Sequence, residues 1–206
     1  MNIKIVRKDE PLAYSAKRAI KNKYKNFYNA SINPDPDYYI VAEDLYIANG
    51  ISSCAGISFK DNLQLFSEQY LDDDIDKIIL DVWGRKYSPE TIAEIGGLIS
   101  NNRNASIKLT TLIPFIAHCV GAKVLLCTIT QTVAQLLRTC GIRFEPICNA
   151  EESCLDPGES DWGSYYQAKP VTGVIFLDDH NAMFKALSMS INFDYDHDAL
   201  DMGEAA

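Results

Sequence analysis

Hydrophobic and polar positions follow two periods along this chain, and the middle third shows both most clearly. Ile92–Ile99 is an apolar run broken only by Glu94 and the pair Gly96-Gly97, and its length predicts a buried strand. Residues 101–106 (Asn-Asn-Arg-Asn-Ala-Ser) are small or polar and predict a turn. Ser106 is the expected cap of the next helix, because its oxygen can accept from the amides of a first helical turn. Ile107, Leu109, Leu112, Ile113, Ile116 and Val120 recur at helical spacing, and Gly121 suits the helix end. Lys123–Ile129 predicts a second buried strand, Thr132–Cys140 a helix closed by Gly141, and Ile142–Ile147 a third strand. A strand-loop-helix-strand-helix-strand unit of this kind holds anions or thioester cofactors where its first strand hands over to the helix N-terminus.

Before this unit the pattern predicts a strand at Ile3–Val6 and a helix from Pro11. The helix's inner face would carry Ala13, Ala16, Ile20, Tyr24, Phe27 and Tyr28. Pro34-Asp-Pro36-Asp turns the chain. Tyr38–Ala42 and Ser53–Ser58 read as strands joined through Asn49-Gly50. Leu63–Tyr70 and Ile75–Ile79 read as helical. After the unit, Val171–Leu177 is the last expected strand. The acidic tail lacks periodicity and is expected to be flexible. The expected architecture is α/β, a mixed sheet with helices on both faces. It would form one domain over residues 1–190 with a flexible tail over 191–206.

Composition narrows the function classes. With 206 residues and 47% hydrophobic positions the chain can bury a sizeable core. A net charge of -9 disfavours nucleic acid, which needs a basic face. The one basic cluster, Lys17 to Lys25, is a solvated face or a docking patch for an acidic carrier protein. Residues 1–10 lack the apolar core of a signal peptide. His118, Gly121 and Lys123 interrupt the longest apolar region, so no membrane insertion and a cytoplasmic location are expected. Six cysteines without a C-x-x-C pair read as reduced, mostly buried thiols. His118 reads as core. His180 and His197 lack ligand spacing, so no metal site is expected.

Several segments carry a resemblance. They are F-Y-N-A at Phe27–Ala30, L-F-S-E-Q-Y-L-D at Leu65–Asp72, Ile75-Asp76, E-I-G-G-L-I-S at Glu94–Ser100, and W-G-S-Y-Y from Trp162 with Pro170 and Val171. Together they resemble the thermostable hemolysin family, itself similar to the GNAT-type acyltransferase fold and more distantly to acyl-homoserine-lactone synthases. The chain departs from that family at Gly97, where asparagine is expected. The resemblance implies a GNAT-like, mostly antiparallel sheet and an acyl thioester as co-substrate, carried on coenzyme A or on an acyl carrier protein.

The same resemblance distributes the site residues. The donor would lie along Gly96, Gly97, Leu98, Ile99, Ser100 and Asn101, then Arg103, Asn104, Ala105 and Ser106. The two glycines let a ligand approach the backbone, or else form a bulge or a close helix contact. The Arg103 loop lacks the glycines usual for a pyrophosphate. Glu94 would be the general base, its pKa raised by burial, unless it faces water or an ion pair. Leu137 stands where GNAT enzymes carry the tyrosine acid, leaving Tyr165 or Tyr166 as substitutes, or as an aromatic plug with Trp162. Glu68 and Asp72, with Asp76 on one helical face, and Trp162 would meet the acceptor. The expected reaction is direct acyl transfer to a small-molecule amine. Two rivals are a synthase like those for acyl-homoserine lactones and a non-catalytic binding or membrane-active protein.

Overall fold

The computed structural model describes residues 2–44, 50–61, 64–156, 161–178 and, as backbone, 192–195. Among these residues the chain forms eight strands and four α-helices in the order β1 (Asn2–Arg7), α1 (Pro11–Tyr28), β2 (Tyr38–Glu43), β3 (Ile51–Phe59), α2 (Ile75–Trp83), β4 (Ile92–Ser100), α3 (Arg103–Cys119), β5 (Val124–Ile129), α4 (Gln131–Cys140), β6 (Glu145–Asn149), β7 (Val171–Phe176) and β8 (Asn192–Tyr195). One sheet contains all eight, ordered β6-β7-β5-β4-β3-β2-β1-β8. Only β4/β5 and β1/β8 pair in parallel. The expected mixed, mostly antiparallel sheet is therefore present.

Alternation assigns the two faces. Ile40, Ala42, Ala55, Ile57, Leu125 and Cys127 pack with α3 and α4. Their neighbours point the other way: Tyr39, Val41 and Cys54 meet α1, and Val124 and Leu126 meet α2. Helices thus cover both faces, as the side-chain period of two requires when neither face is wet.

Several local expectations are corrected. Helix α3 starts at Arg103, not after Ser106, because Asn102 takes the extended cap conformation and its side chain accepts from Ala105 N at 2.9 Å. Ser106 lies inside the first turn. Residues 66–70 form a short 3-10 segment, Phe66–Tyr70, and the chain breaks before α2. The acidic run is the reason: the Asp73 and Asp74 carboxylates collect at the N-terminus of α2, each 2.9 Å from Lys77 Nζ, where the helix dipole favours anions. The continuous acidic face of Glu68, Asp72 and Asp76 therefore does not form. Phe27 is 71% exposed, not on the inner face of α1. Asn192–Tyr195, expected in a flexible tail, pair with β1. The rest of that tail, the turn at 45–49, Leu63, His180 and His197 lie outside the described residues. Cys119 and Cys154 are exposed; Cys54, Cys127 and Cys140 are buried.

Candidate active site

The parallel ladder between β4 and β5 lasts for three residue pairs, Ile92↔Val124 to Glu94↔Leu126, and stops. Beyond Glu94 the two strands part. On its other side β4 continues to pair with β3, but with an extra residue: Cys54↔Ile99 and Gly56↔Gly96 leave Gly97 and Leu98 opposite Ala55 alone. Gly97 sits at φ +61, and a Cβ there would meet Ile20 of α1 at 3.2 Å. It is a glycine bulge against a closely packed helix. Gly96 differs: a Cβ there would meet nothing within 4 Å. The bulge reverses the alternation, so Ile95 and Leu98 pack with the α3 face while Ile99 packs with α1.

Two cavities flank the parted strands. The first, about 280 Å³, runs from exposed Lys23 and Phe27 past residues 95–100 to buried Ile113, Leu125, Ile142 and Ile175. Its inner wall is largely aliphatic, interrupted by Cys127, Thr128, Thr130 and Thr110, whose buried hydroxyl has no hydrogen-bond partner among the described residues. The second, about 720 Å³, opens on the other face between the Asn33–Asp37 segment, Gln64–Tyr70 and Trp162, with Ser58 and Glu94 in its wall. Tyr24, Ile95, Gly96, Gly97, Thr128 and Tyr165 belong to both walls. The cavities meet at the gap between β4 and β5.

Glu94, in the wall of the second cavity and adjacent in sequence to the shared Ile95, is buried at 8% exposed. Its Oε1 accepts from Ser67 N at 3.1 Å and from Ser67 Oγ at 2.5 Å. Thr128 Oγ1 lies 2.9 Å from Ser67 Oγ and 2.7 Å from Thr172 Oγ1, so a row of hydroxyls leads away from the carboxylate. Burial outweighs the Ser67 bonds and lifts the Glu94 carboxyl from its usual 4.5 to about 7. No cation pairs with it among the described residues, so desolvation is only partly offset.

The segment around Glu68 serves as the mount. Glu68 is 2% exposed, and its Oε1 lies 2.6 Å from Lys60 Nζ and accepts from Ile75 N at 2.9 Å. Its Oε2 accepts from Leu65 N at 2.7 Å. With its carboxylate fully engaged, Glu68 fixes the Leu65–Ile75 segment, which presents Ser67 to Glu94. It lines neither cavity. Asp72 is exposed and also lies outside both. Of the two acidic residues expected at the acceptor, the structure thus places Glu68 in a buried ion pair with Lys60 and Asp72 at the surface.

The tyrosines separate. Tyr165 is buried in both cavity walls, its ring packed on Tyr24, Tyr28 and Trp162, and its hydroxyl lies 3.5 Å from Thr128 O. Burial, with the neighbouring phenols, raises its pKa well above that of a free phenol, so it stays protonated at every working pH. Tyr166 lines neither cavity, and its hydroxyl is 2.6 Å from Tyr70 OH. Two of the family-like motifs build this aromatic wall. Gly163, at φ +55, lets the chain run against the end of α1: a Cβ there would strike Tyr28 O, and Ser164 N donates to Tyr28 O at 2.8 Å. W-G-S-Y-Y is thereby seated on F-Y-N-A.

Of the expected donor residues, Gly96 to Ser100 line the first cavity, while Asn101, Arg103, Asn104, Ala105 and Ser106 do not. Asn101 is tied to β3 through Ser52 O and Ile51 O. Ala105 N serves the Asn102 cap and Ser106 N bonds Asn102 O, which leaves the Arg103 and Asn104 amides at the open helix end. Sequence reasoning missed Ser67 and Thr128. Ser67 stood inside the L-F-S-E-Q-Y segment and Thr128 one residue from the end of a recognised strand, but no spacing in the chain links them to Glu94. Among the described residues no three His, Cys, Asp or Glu side chains converge on a point that could hold a metal, and no helix is long and apolar enough to cross a membrane.

Solved structures share this architecture at low identity. One is a coenzyme A-dependent acyl-homoserine lactone synthase, BjaI, with SAM and isopentyl-CoA: TM-score 0.63, 8% identity, covering 96% of each chain. Another is FeeM, an N-acyl amino acid synthase from uncultured soil microbes: TM-score 0.56, 13% identity, covering 86% of this chain and 90% of that one. The acyl-homoserine-lactone synthase LasI matches with TM-score 0.54 and 12% identity, over 85% and 89% of the two chains. At these identities the likeness is one of GNAT-like fold. No curated protein matches the chain. The family model for thermostable hemolysin matches residues 6–180, which span β1 at Val6 through the end of β7 and so include both cavities and Glu94; the chain belongs to the thermostable hemolysin family.

Proposed function

We propose that this protein is an acyltransferase that moves an acyl group from a thioester to an amine within one ternary complex. One observation carries the reading: two cavities on opposite faces of the sheet meet at the parted strands, and a carboxyl lifted to about 7 lies in the wall of the second, next in sequence to Ile95 and Gly96, which both walls share. The donor's acyl chain would enter the aliphatic first cavity, with its pantetheine arm along residues 96–100, where β4 has no β5 neighbour. Coenzyme A is one carrier. An acyl carrier protein is the other, and the exposed basic residues of α1 beside Lys23 would meet its acidic surface.

Glu94 would take the proton from the amine as nitrogen attacks the thioester carbonyl. Ser67 holds the carboxylate in place through two hydrogen bonds. Amides at the Gly97–Ile99 bulge would receive the negative charge on the carbonyl oxygen. As the carbon–sulfur bond breaks, Tyr165 would supply the thiolate's proton, being the phenol shared by both cavity walls. No step needs a covalent acyl-enzyme, since buried Cys127 is held in its thiol form by desolvation.

The test is a thiol-release assay with a panel of acyl-CoA thioesters and amines, followed by mass spectrometry of the amide. Amine-dependent release that is lost in Glu94→Gln supports the reading. Equal release from both proteins, or none with any donor on coenzyme A or on carrier protein, overturns it.

A further inference from the structure

The second cavity is chemically one-sided. Six aromatic residues line it, Tyr24, Phe59, Phe66, Tyr70, Trp162 and Tyr165, and three of its wall residues carry carboxylates: Asp35, Asp37 and Glu94. Among the described residues the only cation in its wall is Lys8, whose Nζ is 3.4 Å from Asp35. Lys17 approaches the same Asp35 at 3.4 Å, so that carboxylate is compensated. Asp37 is not. It is half-buried, its Oδ2 accepts from Phe59 N at 2.9 Å, and no cation pairs with it among the described residues. Phe59 follows Ser58, the residue directly across the sheet from Glu94. Asp37 and Glu94 are therefore anchored one residue apart along β3, on one cavity.

A half-buried carboxylate without a counter-charge, beside several aromatic faces, is built for an organic cation. The rings attract an ammonium through their faces and cover an apolar body. A substrate with a free α-carboxylate meets the opposite situation. Its anion would sit among like charges, and the one cation of the wall among the described residues, Lys8, is already paired with Asp35.

Resting on the acyltransferase reading, the geometry points to an acceptor that is an apolar, carboxylate-free amine, of the arylalkylamine or long alkylamine class, with Asp37 as the residue that selects it over the corresponding amino acid. The amine arrives as an ammonium held between Asp37 and the rings, releases one proton to solvent to free its lone pair, and gives a second to Glu94 as the carbon–nitrogen bond forms. Amino acids and S-adenosylmethionine, which carry an α-carboxylate, are excluded by the same wall.

The experiment compares matched pairs: phenethylamine with phenylalanine, tyramine with tyrosine, and S-adenosylmethionine alone. Binding is read first, without any donor, by the fluorescence of Trp162 in a Trp83→Phe background; Trp83 lies against Phe176, away from the cavity. Each amine should bind at least about tenfold more tightly than its amino acid. Asp37→Asn keeps an oxygen for Phe59 N and removes the charge, and should shrink that ratio toward one. The same ratio should appear in kcat/KM for thiol release. Amino acids or S-adenosylmethionine binding as well as the amines would overturn the inference, as would a ratio unchanged in Asp37→Asn. Selective amine binding without any thiol release would leave the ligand class standing and instead refute the acyltransferase reading.

Discussion

Glu94→Gln separates the stability of this protein from its chemistry, and the structure gives the size of both effects. In the folded chain the carboxyl titrates at about 7 instead of 4.5, because it is buried with hydroxyl and amide partners but, among the described residues, no cation. Between those two pH values the folded chain holds a proton that the unfolded chain has released. Stability therefore falls as pH rises through this window. Below about 4.5 both states are protonated and nothing is lost; above about 7 the whole cost is present. One pKa unit corresponds to about 1.4 kcal/mol, so ionising Glu94 in place costs about 3 kcal/mol.

Glutamine has the same shape and can still accept from Ser67 N and Ser67 Oγ, but it never ionises. Urea unfolding of wild type and variant at a series of pH values isolates Glu94, since every other carboxyl cancels in the difference. The advantage of Glu94→Gln should grow by about 3 kcal/mol between pH 4 and pH 8, equivalent to about 10 °C in Tm for a chain of this length. Turnover should fall by about 100- to 10,000-fold, the usual loss of a general base. Wild-type kcat/KM should rise with pH along a limb centred near 7. A stability difference that stays constant from pH 4 to pH 8 would show that Glu94 titrates as an ordinary surface carboxylate and would refute the reasoning.

The two adjacent glycines should respond oppositely. Gly96→Leu should fold with a nearly unchanged Tm and lose turnover, because its side chain enters open space at the cavity junction. Gly97→Ala should cost about 1–2 kcal/mol from the left-handed backbone alone, read by urea unfolding, and more if Ile20 cannot yield. Lys60→Met should destabilise by about 3–5 kcal/mol, as it leaves the buried Glu68 carboxylate uncompensated; a loss under about 1 kcal/mol would deny the ion pair its structural role. Thr110→Val should leave stability unchanged or raise it by about 1 kcal/mol, since the hydroxyl it removes is buried without a partner among the described residues.

Much of the fold was legible because its elements are periodic. The helices at Pro11, in 107–120 and before Gly141, and the strands around Ile92 and Lys123, carry apolar positions at periods that sheet and helix geometry both enforce. The errors fall where local chemistry competes. Asn102 and Ser106 are both good caps, and periodicity alone cannot choose between them; the backbone takes Asn102 because Asn101 is already pinned to β3. The Glu68–Asp76 spacing fits a helix, yet the crowded aspartates do better at the N-terminus of α2. Site residues were legible one by one and not as a set. Glu94 stood out as a charge in an apolar strand. Ser67 reaches it by direct hydrogen bonds from the Phe66–Tyr70 segment, and Asp37 comes beside it through the pairing of β3 with β4, relations that no sequence spacing encodes.

The segments by which this chain resembles its family acquire a common meaning from that pairing. L-F-S-E-Q-Y places Glu68 under a loop whose Ser67 grips Glu94. E-I-G-G-L-I-S carries Glu94 and then breaks its own alternation at Gly97. F-Y-N-A and W-G-S-Y-Y lock together through backbone bonds to hold the rings beside the gap. Without the bulge, Ile99 would face α3 and Leu98 would face α1, putting each side chain in the other's place along the wall. Shape is thus determined by one extra residue in β4, and electrostatics by the lack of any cation beside Glu94 among the described residues. The two requirements are independent: a change that restores regular pairing at residues 97–98 should close the junction and leave the Glu94 carboxyl near 7. Deleting Leu98, with Glu94 followed by its pH-dependent stability, separates them. Loss of turnover with the pH dependence intact supports this division; loss of both would mean that the bulge, and not burial alone, sets the carboxyl's environment.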